Sequence, residues 1–406
     1  MLSIFKSKAG ALVVLALLLI LSGALLLTTF RQESDPFKGD AIVDPPFTSL
    51  TYSIHTFMWW NDAGQQLDWA KLMGFSHVKQ IFPWKNIEPL QDEWHFERGD
   101  VIVDEAQARG IQVVVRLSDA PDWAYPSLPP RENSNYVDAP PDNLDDWGNF
   151  CGVVAERYKG RITAYQIWNE PNLSREWGDN PPDAGQYVEM LRVCSEAIRA
   201  VDPDVILISA GLSPTGNYDE IAHRDDLYLQ AMYDYEFQQY VDVVGVHAPG
   251  FSVPEYGPDD SERDGGGRWA TFRRIEDLRK IMVANGDAER QMAILETGYT
   301  TDQIHDSYRW FAVDEENQAI NLEAAYRYAA LKWRPWIGLM SSIYIAKSSW
   351  TEQDEQFWWA LNDPQTGRMR PAFGALAQME KYCGDLIMPR RTAQGSAHEM
   401  DYNPCS

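Results

Sequence analysis

The stretch Ile167-Trp168-Asn169-Glu170-Pro171-Asn172 contains the side chains best suited to acid–base chemistry in this chain. A glutamate flanked by an indole and by amides that hydrogen-bond hydroxyl groups can protonate a leaving oxygen, provided a second carboxylate faces it across a pocket. The second carboxylate is found in Met292-Ala293-Ile294-Leu295-Glu296-Thr297-Gly298-Tyr299, where an apolar run ends in glutamate and a glycine turn. A lone glutamate at a strand end is ordinarily a surface or salt-bridged group. Two of them in matching contexts, Glu170 and Glu296, point instead to paired acid and nucleophile chemistry.

These two acids need elements that bring them together. Arg161–Gln166 alternates polar with apolar or aromatic residues and reads as a strand, and Pro171 prevents a helix from starting at once. Around it, strand-like and helix-like patterns alternate. Strands are expected at Tyr52–Thr56, His77–Phe82, Ile111–Leu117, Val205–Ser209, Val241–Val246 and Ile337–Ile345, in addition to those ending near Glu170 and Glu296. Between them fall helical stripes such as Leu144, Trp147, Cys151, Val154 and Tyr158, then Tyr187, Leu191, Cys194, Ile198 and Val201. Eight strand–helix units predict an α/β fold, a single (β/α)8 TIM barrel, in which every strand opens its C-terminal end on one face. An open doubly wound sheet fits less well, because no glycine-rich phosphate turn follows the first strand. The fourth and seventh strands would then deliver Glu170 and Glu296 to one mouth.

On these residues the chain resembles the clan of retaining glycoside hydrolases built on a (β/α)8 barrel, with an Asn-Glu acid/base on strand four and a glutamate nucleophile on strand seven. Trp168-Asn169-Glu170-Pro171-Asn172 looks like the motif of the cellulase-like family 5 and still more like family 39. Phe82-Pro83-Trp84-Lys85-Asn86-Ile87-Glu88-Pro89 with Trp94-His95-Phe96 is similar to the second-strand segment of families 39 and 42. The resemblance implies Glu170 as acid/base, Glu296 as nucleophile and Asn169 as a partner of the sugar 2-hydroxyl. It implies a place near the nucleophile for His247. Trp59, Trp84, Trp123 and Trp177 follow strand ends and are expected to stack on sugar; Tyr299 and Trp350 join them as substrate contacts. Two departures stand out: Lys79 lies where relatives commonly have arginine, and Ile345-Ala346-Lys347 where they have tryptophan, a platform that Trp350, Trp358 or Trp359 from the following loop could replace. The activity expected is that of a retaining β-glycosidase on an oligo- or polysaccharide, with no metal or organic cofactor. The alternatives are a silent glycan-binding barrel and a transglycosylase.

Composition bounds the remainder. With 406 residues, the chain has room for one large barrel, which takes about 250 residues and more with insertions. Its 60 acidic against 35 basic side chains, a net of −25, argue against nucleic-acid binding. Lys6 and Lys8 precede an uncharged run from Ala9 to Phe30, long enough to cross a bilayer. Thr28-Thr29-Phe30 fits signal cleavage poorly, so residues 1–30 are expected to be a signal-anchor or transmembrane segment with the remainder of the chain extracytoplasmic at the cell membrane; secretion after cleavage is the alternative. A proline-containing linker at 31–49, a barrel at 50–384 and a tail at 385–406 complete the domain expectation. Four cysteines suit an oxidising compartment. They allow three pairings: Cys383 and Cys405 could staple the tail, while Cys151 and Cys194, on the stripes of successive helices, could be buried thiols. No Cys/His spacing suggests zinc.

Overall fold

The computed structural model describes residue 42 and residues 44–134 and 136–391. The apolar run Ala9–Phe30, most of the linker and Cys405 lie outside the described residues. Among the described residues no helix is long and apolar enough to cross a membrane.

Eight parallel strands close into a barrel in strict chain order. They are β1 (Thr51–Thr56), β2 (His77–Pro83), β3 (Gln112–Ser118), β4 (Ala164–Ile167), β5 (Ile206–Ser209), β6 (Val243–His247), β7 (Gln291–Thr297) and β8 (Ile337–Ser342). Closure is made by β1 on β8, with Thr51 opposite Leu339 and Ser53 opposite Ser341. The principal helices are α1 (Ala63–Leu72), α2 (Glu97–Ala108), α3 (Leu144–Arg157), α4 (Ala184–Val201), α5 (Asp225–Asp234), α6 (Ile275–Ala284), α7 (Glu315–Lys332) and α8 (Pro371–Gln378). Their starts follow the chemistry of the exposed first N–H groups. Asp62, Asn143, Asp183 and Asp314 each accept a backbone N–H at the head of α1, α3, α4 and α7.

Inward-facing Val114, Ala164, Ile208, Val243, Ala293, Leu295 and Leu339 pack the barrel interior, and Phe47 joins the same cluster. Phe47 is held there by two hydrogen bonds with the Gln291 side chain. Phe47, which falls within the stretch expected as linker, is thus buried in the domain. At the other end, β9 (Lys381–Cys383) and β10 (Leu386–Met388) form a hairpin that reaches past residue 384, and Leu50 N–H donates to the Tyr382 carbonyl.

Two expectations are corrected. Cys151 and Cys194 are not thiols: they form a disulfide, their Cα atoms 5.4 Å apart, because α3 and α4 lay their apolar stripes against each other. Cys383 is also disulfide-bonded. Strand β8 stops at Ser342 rather than Ile345. Beyond it the chain leaves the sheet and bridges the mouth, Ile343 N–H donating to the Thr297 carbonyl and Ile345 N–H to the His55 carbonyl.

Candidate active site

The fourth strand ends at Ile167, three residues short of the acid. Trp168 keeps one more hydrogen bond, to the Leu117 carbonyl, and then the backbone turns sharply. Trp168 and Glu170 both take positive φ, 70° and 36°. Such backbone costs an L-residue of order 1–3 kcal/mol and persists only where surrounding structure enforces it. Enforcement is visible: the Trp168 ring is fully buried, its Nε1 donates to the Glu176 carbonyl at 3.2 Å, and Glu170 N–H donates to the Gly211 carbonyl at 3.1 Å. The result aims the Glu170 carboxyl into the barrel mouth.

Glu296 sits one residue from the end of β7, directly across from His247 on β6. Both glutamates line one cavity of about 270 Å³ at the C-terminal mouth, together with His247 and Tyr344. Their partners differ. Lys79 Nζ lies 2.9 Å from Glu296 Oε1, and His55 Nδ1 lies 3.5 Å from the same oxygen. Glu170 Oε1 is 2.9 Å from His247 Nδ1, while its Oε2 accepts from Arg175 Nη2 at 2.8 Å. His247 fits only because residue 211 has no side chain; a Cβ there would come 2.2 Å from the imidazole Cδ2.

Electrostatics follow from these contacts. Burial pushes the Glu296 carboxyl up, but the Lys79 ammonium, with His247 and His55 adding, outweighs it and holds the group well below the ordinary range. Burial likewise pushes Glu170 up, and the Arg175 guanidinium, then the His247 hydrogen bond, bring it down to about 2. Both acids are therefore carboxylates in the substrate-free cleft. Burial lowers Lys79 to about 8 against the pull of Glu296. His55 falls to about 3 through burial and then the Lys79 charge, so its approach to Glu296 is that of a neutral ring. Glu176, buried beside Arg175, is pushed up to about 8.

The remaining expected contacts are distributed unevenly. Asn169 is buried, its amide 3.5 Å from Glu176 Oε1, and it is not among the residues lining the cavity. Trp84 is wholly enclosed, stacked on Phe150 and bonded through Nε1 to Glu88, so the motif-like segment after β2 builds wall rather than platform. Trp177 is closed off too, with Nε1 on Gln186 and its edge against Trp168. Trp123 packs on Trp84 and donates to the Glu88 carbonyl; half-buried Trp59 meets Phe82 edge-on. Trp350 is buried against Phe57 and Tyr344, and Tyr299 is buried with its ring in the space left by Gly250. None of these six rings lines the cavity. The aromatic surface comes instead from later loops: Phe251 and Trp269 after β6, Trp310 and Phe311 after β7, and Tyr344 and Trp359 after β8. Lys79, at the position where the resemblance led to arginine being expected, lies beside Glu296, and Tyr344 supplies an aromatic just past the end of β8. His55, Arg175 and Glu355 were not singled out in the sequence. His55 had a signal, a lone imidazole near the end of the first barrel strand; the two loop residues had none.

Residues 43–262 match the family described as Cellulase (glycosyl hydrolase family 5), a span that contains Glu170 and stops before Glu296. Endo-1,4-beta-xylanase A of Phanerodontia chrysosporium is 26% identical over 129 residues, 30% of this chain and 29% of that protein. Among solved structures, a family 39 glycoside hydrolase from Bacteroides cellulosilyticus WH2 superposes with a TM-score of 0.60 at 18% identity, over 83% of this chain and 64% of that one. Xylanase 10B from Thermotoga maritima gives 0.53 at 15% identity, over 80% and 93%. The chain thus spans less than two thirds of the length of the xylanase A and family 39 relatives, and the structural likenesses establish the barrel. By the family match over more than half its length, the chain belongs to the cellulase family, glycosyl hydrolase family 5.

Proposed function

We propose that the protein is a retaining β-glycosidase that cleaves O-glycosidic bonds of an oligo- or polysaccharide by double displacement. The observation that carries this reading is the pairing of two carboxylates in one mouth, each with its own partners. Glu296, kept ionised by Lys79, attacks the anomeric carbon and forms a glycosyl ester. Glu170 gives a proton to the departing oxygen, then takes one from the water that opens the ester. Lys79 holds the attacking oxygen on one side, with the His55 ring beside it, and His247 braces Glu170 on the other. Stacking of sugar on Tyr344 and Trp359 is consistent with their place in the cleft. The relatives' names favour β-1,4-linked xylan- or cellulose-type chains.

The disulfides support folding in an oxidising compartment. With the uncharged run Ala9–Phe30 they support an extracytoplasmic enzyme anchored at its N-terminus. A second reading, a glycan-binding barrel without turnover, is favoured by one observation: Arg175 Nη2 pairs with the Glu170 carboxyl at 2.8 Å, where a general acid needs a proton. One experiment separates them. Membranes bearing the 406-residue chain, washed with alkali, are incubated with aryl β-xylosides, β-glucosides and β-cellobiosides, and the first-formed sugar is observed by NMR. Release of the β-anomer from the membrane pellet is expected. Absence of turnover on the panel would favour the silent barrel, first release of the α-anomer would imply inversion, and activity confined to the wash would remove the anchor.

A further inference from the structure

A general acid must carry a proton when substrate is bound, yet here the acid is held as a carboxylate by a guanidinium in the same cavity. Arg175 lies just after β4, in the short turn Ser174–Glu176, and its side chain, 45% exposed, lines the same cavity as Glu170. Its backbone is fixed independently of the head: the Arg175 carbonyl accepts from Val137 and Asp138 N–H. A second seat lies close by. Arg175 Nη1 is 3.9 Å from Glu355 Oε1, and the Tyr308 hydroxyl holds the other Glu355 oxygen. Glu355 comes from the loop after β8, across the cavity from Glu170, and is itself 32% exposed.

We propose that Arg175 is a two-position latch on the acid/base: it pairs with Glu170 in the substrate-free cleft and swings to Glu355 when a glycan enters, leaving Glu170 to hydrogen-bond the glycosidic oxygen. The latch rests on the double-displacement reading of Glu170. The two carboxylates compete for one cation, and an arriving glycosidic oxygen occupies the space beside Glu170 that the guanidinium fills. Without its cation, buried Glu170 takes one proton from solvent. That proton goes to the leaving oxygen, is recovered from the attacking water, and returns to solvent when the latch closes. The charged and titratable groups facing Glu170 are Arg175, His247, Glu296, Glu176, Lys79, Tyr308 and Tyr344. Those facing Arg175 are Glu170, Glu176, Glu355 and Tyr308. Of the charges facing Glu170, Arg175 is the one whose distance changes between the two positions, so the effect has a definite sign.

The test reads the alkaline limb of two pH profiles, since kcat/KM reports the free enzyme and kcat the substrate complex. In the wild type the kcat limb is expected at higher pH than the kcat/KM limb. Arg175→Gln should raise the kcat/KM limb by about 1–3 pH units, the reach of a neighbouring opposite charge, and bring the two together. Glu355→Gln removes the second seat and should pull the kcat limb down toward that of kcat/KM. An ion pair with a purely structural role would lower both parameters in either variant without changing the gap. Carboxyl 13C titration of Glu170 in the free protein, identified by its loss in Glu170→Gln, supplies a readout independent of turnover: its midpoint should rise in Arg175→Gln. An active enzyme whose wild-type limbs coincide, or a Glu170 midpoint unmoved by Arg175→Gln, overturns the latch alone. A chain that titrates as expected but turns over no glycoside overturns the proposed function and the latch with it.

Discussion

At the scale of single residues, the site is an arrangement of charges that burial would otherwise forbid. Glu296 is enclosed in the barrel mouth, and its ionised form persists because a wholly buried ammonium, Lys79, lies 2.9 Å away. Each buried charge answers the other, so removing one leaves the partner uncompensated. Lys79→Met is therefore expected to destabilise the fold by about 3–5 kcal/mol in denaturant titrations. It should also change activity in a signed way. With the cation gone, burial dominates and the Glu296 pKa rises; in the proposed mechanism Glu296 attacks as the carboxylate, so the acidic limb of kcat/KM is expected to move to higher pH. A variant that loses activity without moving that limb would show that Lys79 does not govern the ionisation of Glu296. The departure from arginine at this position thus retains the charge, although a lysine, unlike a guanidinium, loses it as pH rises through about 8.

At the scale of elements, the barrel was legible because its signals are local and repeated. Each strand is an apolar or alternating run closed by a turn residue, and each helix shows one stripe, so eight units and their order follow from periodicity. Glu170, Glu296 and His247 were legible for the same reason: they sit at or just beyond strand ends, where the topology dictates the direction of the mouth. What loops contribute was not legible. Arg175, Glu355, Trp269 and Trp310 lie in segments with no period, and only the closed chain shows that they meet. Of the tryptophans expected to stack on sugar, Trp84 and Trp177 are enclosed. An indole after a strand end can face the cleft or the helix layer, and Trp84 and Trp177 take the second option because Phe150, Trp168 and Gln186 receive them. Cys151 and Cys194 were placed on the correct stripes, and it is the packing of α3 on α4 that makes those stripes meet as a disulfide. This crosslink spans 43 residues. Chain-entropy reasoning gives a loss of about 4 kcal/mol on replacing both cysteines by alanine, as an upper estimate read from unfolding midpoints. An unchanged midpoint would mean that α3 and α4 are held by their apolar faces alone.

At the scale of the whole molecule, a single barrel uses one end for stability and the other for chemistry. Phe47 and the Gln291 amide close the bottom, while the mouth carries a left-handed turn, two carboxylates and a ring of loop aromatics. The division of labour between the carboxylates is the central claim, and it is tested most directly by the anomer of the azide adduct that each alanine variant forms from an activated aryl β-glycoside. Glu170→Ala keeps the nucleophile, so azide enters the vacated space, opens the Glu296 ester and gives the β-glycosyl azide. Its turnover of unactivated substrates, whose leaving group needs a proton, should fall by about 10²–10⁴-fold. Glu296→Ala forms no ester, so azide takes the nucleophile's place and gives the α-azide. Opposite anomers from the two variants are the predicted result; the same anomer from both, or undiminished hydrolysis in either, would contradict the assignment of Glu170 as acid/base and Glu296 as nucleophile.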